Sequence, residues 1–230
     1  MNKAYVITAT TSITRVSRWV DVPVPEFQRI HLFFVSKRLL DVILAMAFIV
    51  SFLPFYLLLT ILTYASSRGP AIYKQQRVGK NGRTFTMYKF RSMKLGAEGT
   101  IPQLAVPTDP RITKWGRFMR RYKLDETPQF FNVLEGSMSI VGPRPERAYF
   151  KEKLTNLYPR LADLDAVKPG ITSLGQIKFG YASDVRQMHK RARFDILYLS
   201  NLSLSTDLKI IAWTIVHVIL GKGSLSSAEG

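Results

Sequence analysis

Asp125 and Glu126 are adjacent carboxylates set among cations. Arg117, Arg120, Arg121 and Lys123 stand just before them, and Gly142-Pro143-Arg144-Pro145-Glu146-Arg147 follows the apolar-rich segment from Phe130 to Val141. Two acids in so basic a neighbourhood, followed by a turn stiffened by two prolines, are the parts of a site that handles a metal ion and phosphate. Each proline fixes its own backbone and restricts the residue before it. Arg144, held between them, is suited to a bidentate grip on phosphate. Spacing alone does not separate this reading from a charged surface loop, since acidic pairs are common on protein surfaces.

Several elements must position these residues. From Leu39 to Tyr64 the only charge is Asp41, a run long enough to cross a hydrocarbon core of about 30 Å. Its residues leave two arrangements open. One is a single transmembrane helix. The other is a helix that enters, bends at Ser51 and Pro54, and returns to the face it left, because an interior proline removes a backbone hydrogen bond. The flanks, with Arg29, Lys37 and Arg38 before the run and Arg68, Lys74 and Arg77 after it, are basic on both sides and give no orientation.

Ala71 to Tyr73 and Arg83 to Tyr88, separated by Gly79-Lys80-Asn81-Gly82, predict a short β-hairpin. Leu95 to Asp109 predicts a loop over the site. Thr113 is placed to cap a helix over 114–122, with Trp115, Phe118, Met119 and Tyr122 on one face and Lys114, Arg117 and Arg121 on the others. Thr127 and Pro128 are placed to start another helix, as cap and first residue. A polar helix interrupted near Pro159, a turn at Lys168 to Thr172, a basic helix over 184–200 and an apolar terminal helix over 208–220 complete the body. The charge run of the 184–200 helix reads as a solvated face. Residues 1–32 read as an irregular extension with a short strand at Tyr5 to Thr8, and are not a secretory signal. The resulting organisation is an extension (1–32), a membrane helix (33–66), a catalytic domain (67–221) and a tail (222–230).

The chain's 230 residues carry 33 Lys plus Arg against 16 Asp plus Glu, a net charge of +17 that favours a polyanionic neighbour. There is no cysteine, so disulfides and thiolate zinc sites are excluded. The concentration of apolar residues in one run points to a membrane rather than to nucleic acid, and no nucleic-acid-binding motif, GxGxxG fingerprint or P-loop is present.

The stretch DETPQFFNVLEGSMSIVGPRPE, Asp125 to Glu146, resembles the signature of the bacterial sugar transferase family, the monotopic phosphoglycosyl transferases. Thr127 stands where the family usually has Leu, and Ile140 likewise. Matches continue through Lys37-Arg38-Leu39-Leu40-Asp41, Arg77-Val78-Gly79, Tyr88-Lys89-Phe90-Arg91-Ser92-Met93 and Lys168-Pro169-Gly170-Ile171-Thr172. Ser173-Leu174-Gly175-Gln176 departs from the family pattern, at a place that bears on sugar choice. The resemblance implies a mixed α+β, mainly helical, membrane-associated domain with a re-entrant N-terminal helix and a short hairpin. It implies transfer of a sugar 1-phosphate from a UDP-sugar to undecaprenyl phosphate at the cytoplasmic face of the bacterial inner membrane, in surface glycan synthesis. It assigns Asp125 as nucleophile, an ionised carboxylate helped by nearby cations, and Glu126 as ligand to Mg²⁺. Arg120 and Arg144 become phosphate contacts, and Lys89 and Arg91 structural or phosphate-facing residues. The competing class is a catalytically silent scaffold for other glycan enzymes. The sequence leaves the identity of the sugar and homo-oligomerisation open.

Overall fold

A computed structural model describes residues 31–97, 99, 102–106 and 109–221. The expected strand at Tyr5 to Thr8 and the tail over 222–230 lie outside them. The described body is mainly helical, with two small two-stranded sheets and one long apolar helix at its N-terminal end.

Helix α1, His31–Ser66, runs through Ser51 and Pro54 without a break in its helical assignment. The Lys-Arg-x-x-Asp motif near its start is a set of docking contacts. Lys37 Nζ pairs with Asp207 Oδ2 at 2.6 Å, and Arg38 donates to the carbonyls of Val133 and Leu134 at 2.6 and 3.0 Å. Asp41 accepts from Ile140 N at 3.0 Å and from Ser139 Oγ at 2.7 Å. Ala45 is buried, and Phe48 stacks on Phe130 with centroids 4.0 Å apart. Beyond Pro54 the helix is still attached: Tyr56 donates to the Thr127 carbonyl at 2.9 Å, and Thr63 Oγ1 accepts from Trp115 Nε1 at 3.2 Å. Charges otherwise costly beside apolar surface are thus each paired or hydrogen-bonded.

The hairpin forms as expected but is longer. β1, Ile72–Val78, pairs antiparallel with β2, Thr84–Phe90, from Ile72 opposite Phe90 to Val78 opposite Thr84. A 3₁₀ turn at Lys80–Gly82 closes it, with Asn81 in the left-handed region at φ 57°. The sequence stopped β1 at Tyr73 because Lys74 to Arg77 are polar on both faces. They are strand because Tyr73, Gln75 and Arg77 face a polar cavity rather than a core.

Helix α2, Lys114–Arg121, is capped by Thr113, whose hydroxyl accepts from Gly116 N at 2.9 Å. It turns Met119 into the body and leaves Phe118 exposed. Helix α3, Gln129–Glu135, starts one residue later than the sequence indicates. Pro128 takes the cap position, and the Thr127 hydroxyl instead donates back to the Leu124 carbonyl at 2.9 Å, because Thr127 already has helical torsions. Asn132, fully buried, ties α3 to β2 through Tyr88 N and the Thr86 carbonyl.

The segment Lys168 to Thr172, read from sequence as a turn, contains a strand. β4, Gly170–Thr172, lies parallel to β3, Ser139–Val141. Three residues are too few for an alternation signal. Gly142 and Gly170 permit the approach: a Cβ on Gly142 would stand 2.4 Å from the Lys168 carbonyl oxygen. Helix α4 (Ala148–Leu157), a 3₁₀ segment (Pro159–Ala166), α5 (Leu174–Lys178), α6 (Val185–Leu199) and α7 (Leu204–Ile219) follow. Ser173, Asp184 and Ser203 cap α5, α6 and α7 with their side chains. Val133, Met138, Val141, Leu154, Ile196 and Tyr198 are among the residues of the core that joins these helices to the β3–β4 pair.

Candidate active site

Lys123 breaks the chain after α2 by adopting left-handed torsions, φ 56°, and a 3₁₀ turn over Leu124–Glu126 follows. That turn points both carboxylates inward: Asp125 is 5% and Glu126 6% exposed. They lie on the wall of a cavity of about 790 Å³ bounded by α1, the hairpin, the 94–106 loop, α5, α6 and α7.

The cations are gathered unequally. Glu126 Oε1 takes Lys89 Nζ at 2.6 Å and Arg144 Nη2 at 3.5 Å, while Oε2 lies 3.5 Å from Lys123 Nζ. Asp125 Oδ1 is buried with no hydrogen-bond partner among the described residues. Burial raises the pKa of both acids. For Glu126 the surrounding Lys123, Lys89 and Arg144 outweigh it, holding the carboxyl well below its usual range. For Asp125 burial is reinforced by the neighbouring Glu126 charge, and its pKa rises. Lys89, Arg120 and Lys123 still favour an ionised Asp125, but Lys89, Lys123 and Arg144 take Glu126, one residue on, as their direct partner. Lys89, partly buried, is pushed down to about 8, chiefly by burial. Arg144 moves upward, because Glu126 and Glu146 outweigh its burial.

Arg144 is fixed from behind. Its own main-chain N donates to Asp195 Oδ2 at 3.2 Å, and Asp195 Oδ1 accepts from Gly175 N at 2.8 Å. Glu146, two residues on, meets Arg191 at 2.5 Å and Arg77 at 3.8 Å. Arg77 also donates to the Pro145 carbonyl at 2.9 Å. The Gly-Pro-Arg-Pro turn is thus clamped between β1 and α6.

Of the residues singled out by sequence, Asp125, Glu126, Lys89, Arg91, Arg120 and Arg144 are brought together on this cavity. Arg120 donates to Ser92 Oγ at 2.8 Å. Arg91 commits its Nη2 to the carbonyls of Ser67 and Gly69, pinning the chain just beyond α1, while its Nε and Nη1 are buried without a partner among the described residues. Ser51 and Pro54 lie on α1 outside the cavity walls. Asp195 and Arg191 were missed. Read as part of a solvated charge run, Arg191 is buried, whereas Arg186 and Lys190 on the same helix are exposed. The available signal was an acid four residues after an arginine in an otherwise basic helix.

Among the described residues no three carboxylates, imidazoles or thiols converge to hold a metal unaided. The donor set still suits a cation shared with substrate: Glu126 is held ionised, and Asp125 presents an oxygen that the protein leaves unpartnered.

Comparison with known proteins agrees with this geometry. The chain is 42% identical over 194 residues to the UDP-glucose:undecaprenyl-phosphate glucose-1-phosphate transferase of Xanthomonas campestris pv. campestris, covering 83% of this chain and 40% of that protein. It is 38% identical over 188 residues to the UDP-N-acetylgalactosamine-undecaprenyl-phosphate N-acetylgalactosaminephosphotransferase of Aeromonas hydrophila, covering 82% and 44%. The chain thus spans less than half the length of either relative. It is 36% identical to the exopolysaccharide production protein PSS of Rhizobium leguminosarum bv. phaseoli, over 82% of this chain and 98% of that one. The family model described as bacterial sugar transferase matches residues 32–221. With that match over most of its length, the chain belongs to the bacterial sugar transferase family.

Proposed function

We propose that this protein is a phosphoglycosyl transferase that moves a sugar 1-phosphate from a UDP-sugar to undecaprenyl phosphate, giving undecaprenyl-diphosphate-sugar and UMP. The observation that carries the reading is the buried Asp125–Glu126 pair inside a cavity walled by Lys89, Arg120 and Arg144. The relatives named above for such transfers support it. A scaffold has no need to bury two acids among paired cations, since the desolvation cost of those charges returns nothing without a ligand.

The reaction divides into two displacements at one phosphorus. An Asp125 carboxylate oxygen attacks the phosphorus that carries the sugar. The bond to the bridging oxygen breaks, and UMP leaves with that oxygen and its electron pair. The sugar phosphate remains on Asp125 as an acyl phosphate, which splits one difficult step into two. A phosphate oxygen of the lipid then attacks the same phosphorus, and the Asp125 carboxylate departs. Asp125 must be deprotonated to attack, and Lys89, Arg120 and Arg144 offset the charge of the incoming diphosphate. Glu126 holds Lys89, Lys123 and Arg144 in place and would be the protein ligand to Mg²⁺. That ion, when bound, supplies charge neutralisation on the diphosphate.

In this reading the site lies at the cytoplasmic face of the bacterial inner membrane, with α1 as a re-entrant element and the product feeding surface glycan synthesis. The deciding experiment mixes the protein with its UDP-sugar and Mg²⁺ and no acceptor. UMP should appear in an amount limited by the enzyme, and intact-protein mass spectrometry should find a sugar phosphate at Asp125. Asp125→Asn should abolish both. An active preparation with no adduct and no early UMP, whose kinetics require both substrates together, would establish direct transfer instead.

A further inference from the structure

The cavity changes character along its length. Around Asp125 it is lined by cations. Away from it, the wall is made by two apolar stripes. On α1 these are Leu44, Phe48 and Phe52, each four residues from the last; on α7 they are Ile211, Ile215 and Val218. Residues three, four and seven apart lie on one side of a helix, so Leu44, Phe48 and Phe52 form one stripe on α1, while α7 adds Thr214, His217 and Ile219 to the lining beside its apolar three. Phe130 of α3, stacked on Phe48 at 4.0 Å, lines the same cavity. The α7 stripe is held in place by Thr214, whose hydroxyl pairs with that of Thr172 at 2.7 Å.

We propose that the groove between α1 and α7 binds the hydrocarbon chain of the lipid acceptor, with its phosphate directed to Asp125; the inference rests on the acceptor assigned above. Three observations select this occupant. First, the groove is continuous with the basic end of the same cavity, so one ligand with an anionic head and an apolar tail satisfies both ends. Second, a nucleotide sugar carries polar groups throughout, whereas the polar side chains that α1 and α7 add to this wall, Thr214 and His217, are already hydrogen-bonded within the protein. Third, both helices are apolar on their outer faces too: Leu57 on α1 is 67% exposed and Val216 on α7 is 51% exposed, and neither lines the cavity. A chain can pass from an apolar surface into the groove without crossing polar surface. A volume of about 790 Å³ is that of a pocket for one moderately sized ligand. It admits the reacting phosphates and the first part of a long chain, and the rest continues along the exposed faces of α1 and α7.

The test uses a polyprenyl phosphate bearing a diazirine in the isoprene unit next to the phosphate, with the full chain in vesicles of phosphatidylethanolamine and phosphatidylglycerol. Adducts are expected on residues 44–52 and 211–218. They should be lost on adding unlabelled undecaprenyl phosphate and kept on adding more phosphatidylglycerol. Adducts elsewhere, or equal loss with phosphatidylglycerol, overturn the assignment, the second because the groove then holds bulk lipid. As a second measurement, Ile215→Trp should raise the KM for the polyprenyl phosphate by roughly tenfold, and an unchanged KM counts against the groove. Should that variant fail to fold, labelling of the unaltered chain still decides. Groove labelling without sugar-phosphate transfer would sink the reaction assignment and leave the groove; transfer with labelling elsewhere would sink the groove alone.

Discussion

At the scale of single residues, Glu126 organises the charge, and Asp125 Oδ1 has no hydrogen-bond partner among the described residues. Lys89 is the residue whose pH behaviour exposes this. Its pKa is lowered by burial to about 8 from 10.5. Between those values the folded protein has lost a proton that the unfolded chain keeps, so stability rises with pH across that window. Activity should move the other way, because the ammonium facing Glu126 and the diphosphate disappears as pH passes about 8. The expected kcat/KM profile, which reports the free enzyme, falls above about pH 8. In Lys89→Arg, which stays charged, that alkaline fall should move to higher pH. A fall unchanged in the Arg variant would assign the limb to another group. Arg144 makes a complementary prediction. Its planar fork cannot be reproduced by an ammonium, and charge-assisted hydrogen bonds are worth about 1.5–3 kcal/mol. Arg144→Lys should therefore lose roughly 10- to 150-fold in kcat/KM, and kinetics equal to the parent would remove Arg144 from the site. These residue types were legible in the sequence because the acids and prolines are distinctive together. Which acid the cations would choose was not, since neighbours in sequence differ here only in the direction a single 3₁₀ turn points them.

At the scale of elements, position is set by close backbone approaches that a sequence does not display. Helix α2 carries Arg120 and reaches the site only because Gly116 lets it rest on the chain leaving β2. A Cβ there would stand 1.9 Å from the Ser92 carbonyl oxygen, and the same residue's hydroxyl accepts from Arg120. Gly116→Ala must push α2 away from backbone that cannot yield like a side chain. Overpacking of this kind typically costs about 1–3 kcal/mol. We expect a lower denaturation midpoint together with a loss of activity, read by chemical denaturation and the UMP assay. Normal stability and turnover would mean that α2 is not held by this contact. Helix α2 itself, with its Thr113 cap and apolar face, was fully readable, as were α6 and the hairpin turn at Asn81-Gly82. The β3–β4 pair was not, because three-residue strands carry no periodicity. The second half of β1 was missed because its polarity does not alternate: Gln75 and Arg77, on the side that lines the cavity, are as polar as Lys74 and Gln76 on the other.

At the scale of the whole molecule, α1 is the element that the proposed function sets against a bilayer. It is apolar enough to cross one, and little of it is buried: Leu53, Leu57 and Ile61 are all more than half exposed. Yet it is bound to the body along most of its length, from Lys37 on Asp207 to Thr63 on Trp115. That interval is roughly 40 Å of helix, comparable with the breadth of a body this size, roughly 40 Å. If α1 crossed a hydrocarbon core of about 30 Å, the polar body fixed at both its ends would have to enter the core with it, carrying its buried ion pairs and exposed cations. A helix lying in one leaflet, with both ends returned to the same headgroup layer, keeps every one of these contacts. Pro54, which has no N–H to give to the turn before it, is the place where such a helix can bend. The prediction is that cysteines replacing Leu32 and Arg68, at the two ends of α1, are labelled alike by an impermeant reagent in oriented vesicles. Labelling of only one would mean that α1 spans, and that its contacts with the body are broken in the membrane. Pro54→Leu should shift the population toward opposite labelling, because a restored hydrogen bond favours a straight helix. Since an α1 that spans the bilayer must leave Thr127 and Trp115, that variant should also lose turnover in proportion to the oppositely labelled fraction. Full turnover at complete opposite labelling would separate the membrane geometry from catalysis.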